Sequence, residues 1–191
     1  MSVDLGTGDG NAVLRAARAE PAWLHVGIDA VAEGMAEASG RAHRERLENA
    51  LFVRAAAEAL PPELAGCAAR MTVVLPWRSL LRIVAAPDAE ALAGIRRLCG
   101  PGALFRAVVA YSPERDARTW RELGLEPGVF DERSLAKGYA SAGFTLLGVR
   151  DCTKQEFAAL GTAWARRLAR SPGRMAWVLT AIAAEAHSMK A

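Results

Sequence analysis

The stretch that decides the fold is Val3-Asp4-Leu5-Gly6-Thr7-Gly8-Asp9-Gly10-Asn11. A short apolar strand runs into three alternating glycines, and a helix is predicted to follow from Ala12 to Ala19. In α/β domains this order forms a nucleotide site, because glycine lets a ligand approach the backbone and the helix start presents free N–H groups. The spacing is GxGxG rather than the GxGxxG of the dinucleotide fingerprint. A tight connection without a ligand is the alternative interpretation.

An acid lies inside this first strand, directly ahead of the turn. The carboxylate of Asp4 is a poor partner for a pyrophosphate and a good one for an amine. S-adenosylmethionine carries both an α-amino group and a sulfonium. The glycine turn together with Asp4 therefore favours this cofactor over a nicotinamide.

The rest of the chain alternates between predicted strands and helices. The pattern predicts an α/β fold of the class I (Rossmann-like) S-adenosylmethionine-dependent methyltransferases, a seven-stranded, mostly parallel sheet with an antiparallel last strand. A turn is expected at 100–102 and a basic connector at 161–174. No repeat or linker interrupts the pattern, so residues 1–191 are predicted to form a single domain. The later predicted strands are 23–29, 50–53, 71–75, 103–111, 144–149 and 175–184, and the later helices are 31–42, 89–98, 115–123, 131–142 and 153–160.

Composition narrows the class of protein. Hydrophobic residues make up 52% of the 191 residues, yet no apolar run approaches the roughly 18 residues that span a bilayer. The three cysteines show no CxxC spacing, so neither a disulfide framework nor a metal site is indicated. A net charge of +3 permits an RNA partner without demanding one. A cytoplasmic protein without a membrane partner is predicted.

Several residues stand where ligands sit in such folds, and each has an ordinary structural alternative. Asp29 ends the second strand, where it would meet a ribose diol or cap the following helix. Glu58 follows the third strand, beside an adenine or as a surface acid. Trp77 follows the fourth strand, where it would stack on a base or pack in the core. The arginines of the connector 41–46 would meet phosphates or simply solvent.

A resemblance to a known family follows from the motifs in order. The chain resembles the aminoglycoside-resistance 16S rRNA (adenine-1408-N1)-methyltransferases, the kanamycin–apramycin resistance group, over nearly its whole length. The first glycine turn is generic to class I methyltransferases, whereas the Pro-Trp and the Trp-x-Arg-Arg-Leu are far more specific. The matching motifs are Asp4-Leu5-Gly6-Thr7-Gly8-Asp9-Gly10, Gly27-Ile28-Asp29, Ala57-Glu58, Leu75-Pro76-Trp77 with Ser79-Leu80-Leu81, and Trp164 with Arg166-Arg167-Leu168.

The resemblance implies roles for individual residues. Asp4 and Gly6 would hold the methionine end of S-adenosylmethionine, Asp29 the ribose, and Ala57 with Glu58 the adenine. Three further groups complete the implied site: the cofactor-pocket residues Gly8, Val74, Leu75, Pro76 and Ser79; Trp77 and Trp164 around the flipped target adenine with Thr162 nearby; and the RNA-binding arginines Arg167, Arg170 and Arg174.

The resemblance also implies a partner and an activity. The expected reaction methylates N1 of adenine 1408 of 16S rRNA in the assembled 30S subunit, by a monomer, and gives resistance to kanamycin and apramycin. Relatives carry an N-terminal β-hairpin, which is expected to be absent here because the chain starts at the glycine strand. They also carry a Lys- and Gly-rich segment before the third strand, so docking would rest on Arg41, Arg44 and Arg46.

Other classes of function remain open at this point. A class I methyltransferase could act on another RNA site or on a small molecule. A nicotinamide dehydrogenase is disfavoured by the glycine spacing and by Asp4. A non-catalytic RNA-binding module would keep the fold and bind 30S subunits without modifying them.

Overall fold

The computed structural model describes residues 1–87, 89–126, 128–169 and 173–185. Its strands form one seven-stranded sheet in the order β3-β2-β1-β4-β5-β7-β6. Strands β1 to β5 are parallel to one another, and β7 pairs antiparallel with both β5 and β6. This confirms the predicted fold class. The strands are β1 (Ser2–Leu5), β2 (His25–Asp29), β3 (Ala50–Arg54), β4 (Ala68–Val74), β5 (Cys99–Tyr111), β6 (Phe144–Asp151) and β7 (Met175–Ala183).

Helices cover both faces of the sheet. The helices of the described residues are α1 (Asn11–Ala19), α2 (Ala32–Arg44), α3 (Arg78–Ala85), α4 (Ala89–Leu98), α5 (Pro113–Glu122), α6 (Glu132–Ser141), α7 (Lys154–Ala159) and α8 (Ala163–Leu168). Apolar residues of α3 to α6 pack in the main core, while α1 and α2 form one smaller cluster and α7 and α8 another. No helix among the described segments is long and apolar enough to cross a membrane.

Side chains alternate between the two faces of the sheet along each strand, and different helices cover the two faces. Val3 and Leu5 of β1 are buried in the main core, so the intervening Asp4 faces the opposite layer. Thr72 of β4 pairs with Asp4 in register and shares its face. The acid of the glycine strand therefore lies on the side covered by α1, α2, α7 and α8.

Two local predictions were wrong. The expected turn Gly100-Pro101-Gly102 lies within β5, whose pairing with β4 continues on both sides of a register shift between Ala68 and Arg70. A bulge can absorb residues that would otherwise break a strand. The expected connector 161–174 contains α8, because the Thr162 hydroxyl accepts the Ala165 N–H at 3.0 Å and so caps a helix.

Candidate active site

The glycine turn is held at the carboxyl end of the sheet by the neighbouring strand. The N–H groups of Gly6 and Thr7 both donate to the carbonyl of Ile28, at 2.7 and 3.1 Å. Gly8 has φ 59°, and a Cβ placed there would meet nothing within 4 Å. Open space over a left-handed glycine is what the close approach of a ligand to the backbone requires. The turn is thus shaped as the sequence predicted.

Asp4 is a carboxylate with few internal partners. Its two oxygens accept hydrogen bonds from the hydroxyls of Thr7, at 2.8 Å, and Thr72, at 3.0 Å. Burial raises the pKa of Asp4, while the two hydroxyls and the positive charge of Arg15 oppose that shift. A bound ammonium group would stabilise the ionised carboxylate that burial disfavours. The residue therefore fits the amino group of S-adenosylmethionine.

Asp29 joins the end of β2 to the glycine turn. One carboxylate oxygen accepts the N–H of Gly8 at 2.8 Å, and the other accepts the N–H of Val31 at 2.9 Å. The residue at the N-cap of α2 is Val31 itself, so Asp29 does not occupy the capping position that was its structural alternative. Its carboxylate stands beside the turn, within reach of a ligand held there.

A pocket of about 340 Å³ opens between the segment that follows β3 and the helices α3 and α4. Ala57 and Glu58, the two predicted adenine contacts, line it together with Ser79. Glu58 is exposed, so the surface-acid alternative and the pocket role are compatible. The remaining lining residues come from α3 and α4 and were not predicted: Arg82, Ile83, Glu90, Ala91, Gly94 and Arg97. Only Arg82 and Ile83 lie on α3, an eight-residue helix that was not predicted, whereas the other four lie on the predicted helix α4.

The segment after β4 is held in an unusual backbone conformation. Leu75 and Arg78 have φ values of 53° and 51°, and they flank Pro76 and Trp77. Left-handed φ at residues other than glycine costs about 1–3 kcal/mol each and persists where the surroundings enforce it. Here the N–H of Leu75 donates to the carbonyl of Val108 at 2.7 Å. The strain directs Trp77 outward at the end of the strand.

Trp77 and Trp164 come together although they lie 87 residues apart by subtraction. Both side chains are exposed, at 45% and 41%, so the core-packing alternative for Trp77 is wrong. Their ring centroids are 6.0 Å apart, with 75° between the planes, an edge-to-face contact. The predicted pair is thus assembled, but in the present conformation the two rings are not parallel.

The crevice beneath the two indoles has further walls that sequence reasoning missed. Asp116 and Trp120 of α5 line it with Leu168 of α8. Asp116 is 6% exposed, and one of its oxygens accepts the Ser112 N–H at 2.7 Å. Burial raises the pKa of Asp116, opposed by that hydrogen bond and by Arg115. The Pro113 that opens α5 was a helix signal, yet nothing in the sequence placed this helix beside Trp77.

The predicted RNA-binding arginines differ in their surroundings. Arg167 is exposed, and its side chain has no hydrogen bond or ion pair with any described residue. Arg174 instead packs its guanidinium 4.0 Å from the centre of the Phe157 ring and donates to the Leu168 carbonyl. Burial lowers the pKa of Arg174. Arg170 lies outside the described residues.

The second predicted basic group lies at the end of α2. Arg44 and Arg46 are exposed. Arg41 is partly engaged, because it donates to the Asn11 side chain at 3.0 Å and lies 4.0 Å from the Glu45 carboxylate. This group remains a predicted docking surface. Among the described residues no cluster of three or more His, Cys, Asp or Glu side chains forms a metal site.

The sheet order and the site at its carboxyl edge define a class I S-adenosylmethionine-dependent methyltransferase. The sequence profile of the NpmA family, described as 16S rRNA (adenine(1408)-N(1))-methyltransferase, matches residues 1–183. The chain belongs to this family.

Individual relatives agree with this assignment. The enzyme of that name from Streptoalloteichus tenebrarius is 36% identical over 183 residues, which cover 90% of this chain and 81% of the relative. The one from Escherichia coli is 30% identical over 177 residues, covering 88% and 80%.

Solved structures of relatives share the fold. A tryptophan-to-alanine mutant from Catenulisporales acidiphilia, crystallised with its cosubstrate S-adenosylmethionine, has a TM-score of 0.86 and 31% identity, covering 97% of this chain and 86% of that one. The 16S rRNA methyltransferase KamB has a TM-score of 0.83 and 34% identity, covering 96% of this chain and 87% of that one.

Proposed function

We propose that this protein transfers a methyl group from S-adenosylmethionine to N1 of adenine 1408 in 16S rRNA. It acts as a monomer on the assembled 30S subunit, in the cytoplasm where ribosomes function, and confers resistance to aminoglycosides such as kanamycin and apramycin. The observation that carries the proposal is the pair of exposed indoles, Trp77 and Trp164, at the carboxyl edge of this family's sheet.

The cofactor site is built from the glycine turn and its neighbours. The carboxylate of Asp4 pairs with the amino group of the cofactor, and Gly6 and Gly8 let the cofactor approach the backbone. The carboxylate of Asp29 accepts hydrogen bonds from the ribose hydroxyls. Ala57, Glu58 and Ser79 line the pocket that takes the adenine, and the segment from Val74 to Pro76 lies below the transferred methyl group. When bound, S-adenosylmethionine supplies an electrophilic methyl group on a sulfonium.

The target base is captured by the two indoles. Trp77 and Trp164 hold the flipped adenine between their faces, and Thr162 keeps Trp164 in place through the start of α8. Flipping costs a few kcal/mol, and stacking on each aromatic ring returns about 1–3 kcal/mol. The same faces stabilise the positive charge that the base acquires on methylation, by about 0.5–2 kcal/mol for each well-placed ring.

Methyl transfer to adenine N1 requires few further groups from the protein. Adenine N1 carries an in-plane lone pair and no proton, so no general base has to act before attack. The three histidines of the sequence show no catalytic spacing, which agrees with that requirement. The contribution of the chain is therefore to position N1, exclude water and stabilise the cationic product.

Asp116 gives the crevice a means of selecting adenine. Its carboxylate is buried in the crevice wall and accepts one internal hydrogen bond. Adenine presents an amino donor at position 6, whereas guanine presents a carbonyl acceptor there. In its ionised form, Asp116 is an acceptor at this wall that attracts the first base and repels the second.

The arginines supply the affinity for RNA. Arg167 lies one helical turn from Trp164 and is exposed, so it is placed to bind a phosphate beside the flipped nucleotide. Arg170 and Arg174 follow it in the chain. Arg41, Arg44 and Arg46 provide a second contact on α2. Guanidinium groups suit this role because their fork binds phosphate oxygens in pairs.

Primer extension on 16S rRNA tests the proposal directly. Cells that express the protein should give a stop at adenine 1408, and purified protein with S-adenosylmethionine should produce the same stop on 30S subunits. The Asp4→Asn variant is the control for cofactor-dependent transfer. Unmodified adenine 1408 in subunits that bind the protein would reveal a non-catalytic module. Transfer to a free metabolite in place of 30S subunits would reveal a small-molecule enzyme.

A further inference from the structure

Arg15 makes a contact that neither the cofactor site nor the crevice explains. It lies on α1, and its guanidinium donates to two consecutive carbonyls that follow it by 145 and 146 residues in the chain. Nη2 donates to Leu160 at 2.7 Å and Nη1 to Gly161 at 3.0 Å. Because the guanidinium is planar and binds both carbonyls at once, it fixes their orientation as well as their distance from α1.

The acceptors belong to the link that presents Trp164. Gly161 has φ 61°, and the next residue, Thr162, starts α8 through its hydroxyl. Helices α7 and α8 have six residues each, far below the roughly 12–15 at which an isolated helix becomes marginally stable. Tertiary contacts must therefore hold this link in place. A second arginine, Arg166, donates to the same Gly161 carbonyl at 2.9 Å.

The same guanidinium acts on the cofactor side. Its charge lowers the pKa of Asp4 and so supports the ionised carboxylate against the dominant effect of burial. Helix α1, which carries Arg15, begins directly after the glycine turn. One side chain thus lies between the residue proposed to hold the cofactor amine and the link that carries the second indole.

We infer that Arg15 is a positioning residue that ties the cofactor turn to the base-capturing helix α8. Through Leu160 and Gly161 it sets the place of Trp164, so that this indole stands beside Trp77 before the target base arrives. The inference rests on the proposed function for its consequence in methyl transfer. The structural tie itself requires only the hydrogen bonds.

A matched set of variants separates the two roles of the side chain. Arg15→Lys keeps the positive charge near Asp4 but lacks the two-pronged geometry, whereas Arg15→Ala loses both. Arg18→Ala is the control, since Arg18 lies on the same helix and pairs with Glu45 instead. Hydrogen exchange of the amides in 160–168, cofactor binding and the steady-state kinetics of 30S methylation are measured for each.

Both Arg15 variants should exchange about tenfold faster in 160–168, because two charge-assisted bonds to that segment are lost. The KM for 30S subunits should rise about tenfold in Arg15→Lys with little change in kcat at saturation, while its affinity for S-adenosylmethionine stays within about twofold. Arg15→Ala should bind the cofactor more weakly as well. The unfolding temperatures of both Arg15 variants should match that of Arg18→Ala, because the lost hydrogen bonds loosen one segment and not the whole fold.

The outcomes separate the positioning role of Arg15 from the proposed methylation of adenine 1408. Unchanged exchange in 160–168 for Arg15→Lys would overturn the positioning role, even if methylation continued. Wild-type protein that leaves adenine 1408 unmodified would overturn the proposed function, and faster exchange in Arg15→Lys would still support the tie. Should Arg15→Ala fail to fold, Arg15→Lys decides the question alone.

Discussion

The indole rings of Trp77 and Trp164 meet edge to face, with centroids 6.0 Å apart and planes at 75°. A base stacked between two parallel rings needs about 7–8 Å, since each carbon contact is optimal at about 3.5–4.0 Å. Base capture therefore requires at least one indole to rotate and the pair to separate slightly. Both side chains are exposed, so the rotation breaks little packing.

Replacing either tryptophan by alanine should reduce methylation of 30S subunits about 10-fold to 100-fold, because stacking is worth about 1–3 kcal/mol per base. Single-turnover transfer of a labelled methyl group measures the loss. Cofactor affinity, measured by calorimetry, should be unchanged, since neither indole belongs to the proposed cofactor contacts. Phenylalanine should restore part of the activity at either position. A normal rate in either alanine variant would exclude the stacking role.

Cofactor binding should depend on the ionisation of Asp4. Burial raises the pKa of this carboxyl above its ordinary value of 3.8, and protonation removes the charge that pairs with the ligand amine. Affinity for S-adenosylmethionine should therefore fall as the pH is lowered from neutral through that raised pKa, while an α-amino group, with an ordinary pKa of about 7.7–8.0, stays protonated. In Asp4→Asn the affinity should be lower and should no longer change with pH.

The same shift predicts that Asp4 destabilises the free protein. A folded-state pKa above the unfolded value means that stability is present below pH 3.8 and lost as the pH rises through the folded pKa. Asp4→Asn should therefore unfold at a higher temperature than the wild type at pH 7, while it binds cofactor less well. A lower unfolding temperature would contradict the burial argument.

Arg46 combines a strained backbone with a proposed RNA contact. It follows α2 with φ 54°, and the next N–H, from Leu47, donates to the Ala42 carbonyl, a helix end that favours glycine. Arg46→Gly should stabilise the fold by up to about 1 kcal/mol. Removing the left-handed strain gains about 1–2 kcal/mol, and the greater entropy of glycine in the unfolded chain offsets part of that gain. Chemical denaturation measures this gain. Binding to 30S subunits should weaken in the same variant.

Arg167 and Arg174 should behave differently on replacement by alanine. Arg167 is exposed, so its loss should weaken 30S binding and reduce the slope of log affinity against log salt by about 1. Arg174 packs on Phe157 and bonds to Leu168, so its loss should first lower the unfolding temperature. Filter binding at several salt concentrations, compared with thermal unfolding, separates the two. Equal salt slopes for Arg167→Ala and the wild type would remove Arg167 from the RNA contacts.

Glu156 gives α7 a pH-dependent anchor. Hydrogen bonds from Arg150 and from the Thr153 backbone hold the pKa of Glu156 at about 2, below its ordinary value of 4.5. Its contribution to stability is present above pH 4.5 and is lost as the pH falls towards about 2. Glu156→Gln should thus lower the unfolding temperature at pH 7, and the difference from wild type should shrink below pH 4.5. A constant difference across that range would contradict the assignment.

Local signals in the sequence were sufficient for the fold class and for the conformation of the glycine turn, while the cofactor contacts stay a prediction. The glycine turn, Asp4 and Asp29 lie at strand ends that the apolar pattern located within a few residues, because parallel strands bring their carboxyl ends to one edge. Helix α8 and the continuous β5 escaped prediction. The first depends on a side-chain cap, and the second on pairing with β4, which tolerates a Gly-Pro-Gly segment inside a strand.

The sequence by itself determined the family, the number of strands with an antiparallel last strand, and the residue types that the chemistry requires. Tertiary structure alone decided that Trp77 and Trp164 stand edge to face, that Asp116 lines their crevice, and that Arg174 packs inward. It also placed Arg15 on the carbonyls of Leu160 and Gly161. The physical reason is range: propensity and periodicity act over a few neighbouring residues, whereas these contacts join segments that become adjacent only when both faces of the sheet are packed.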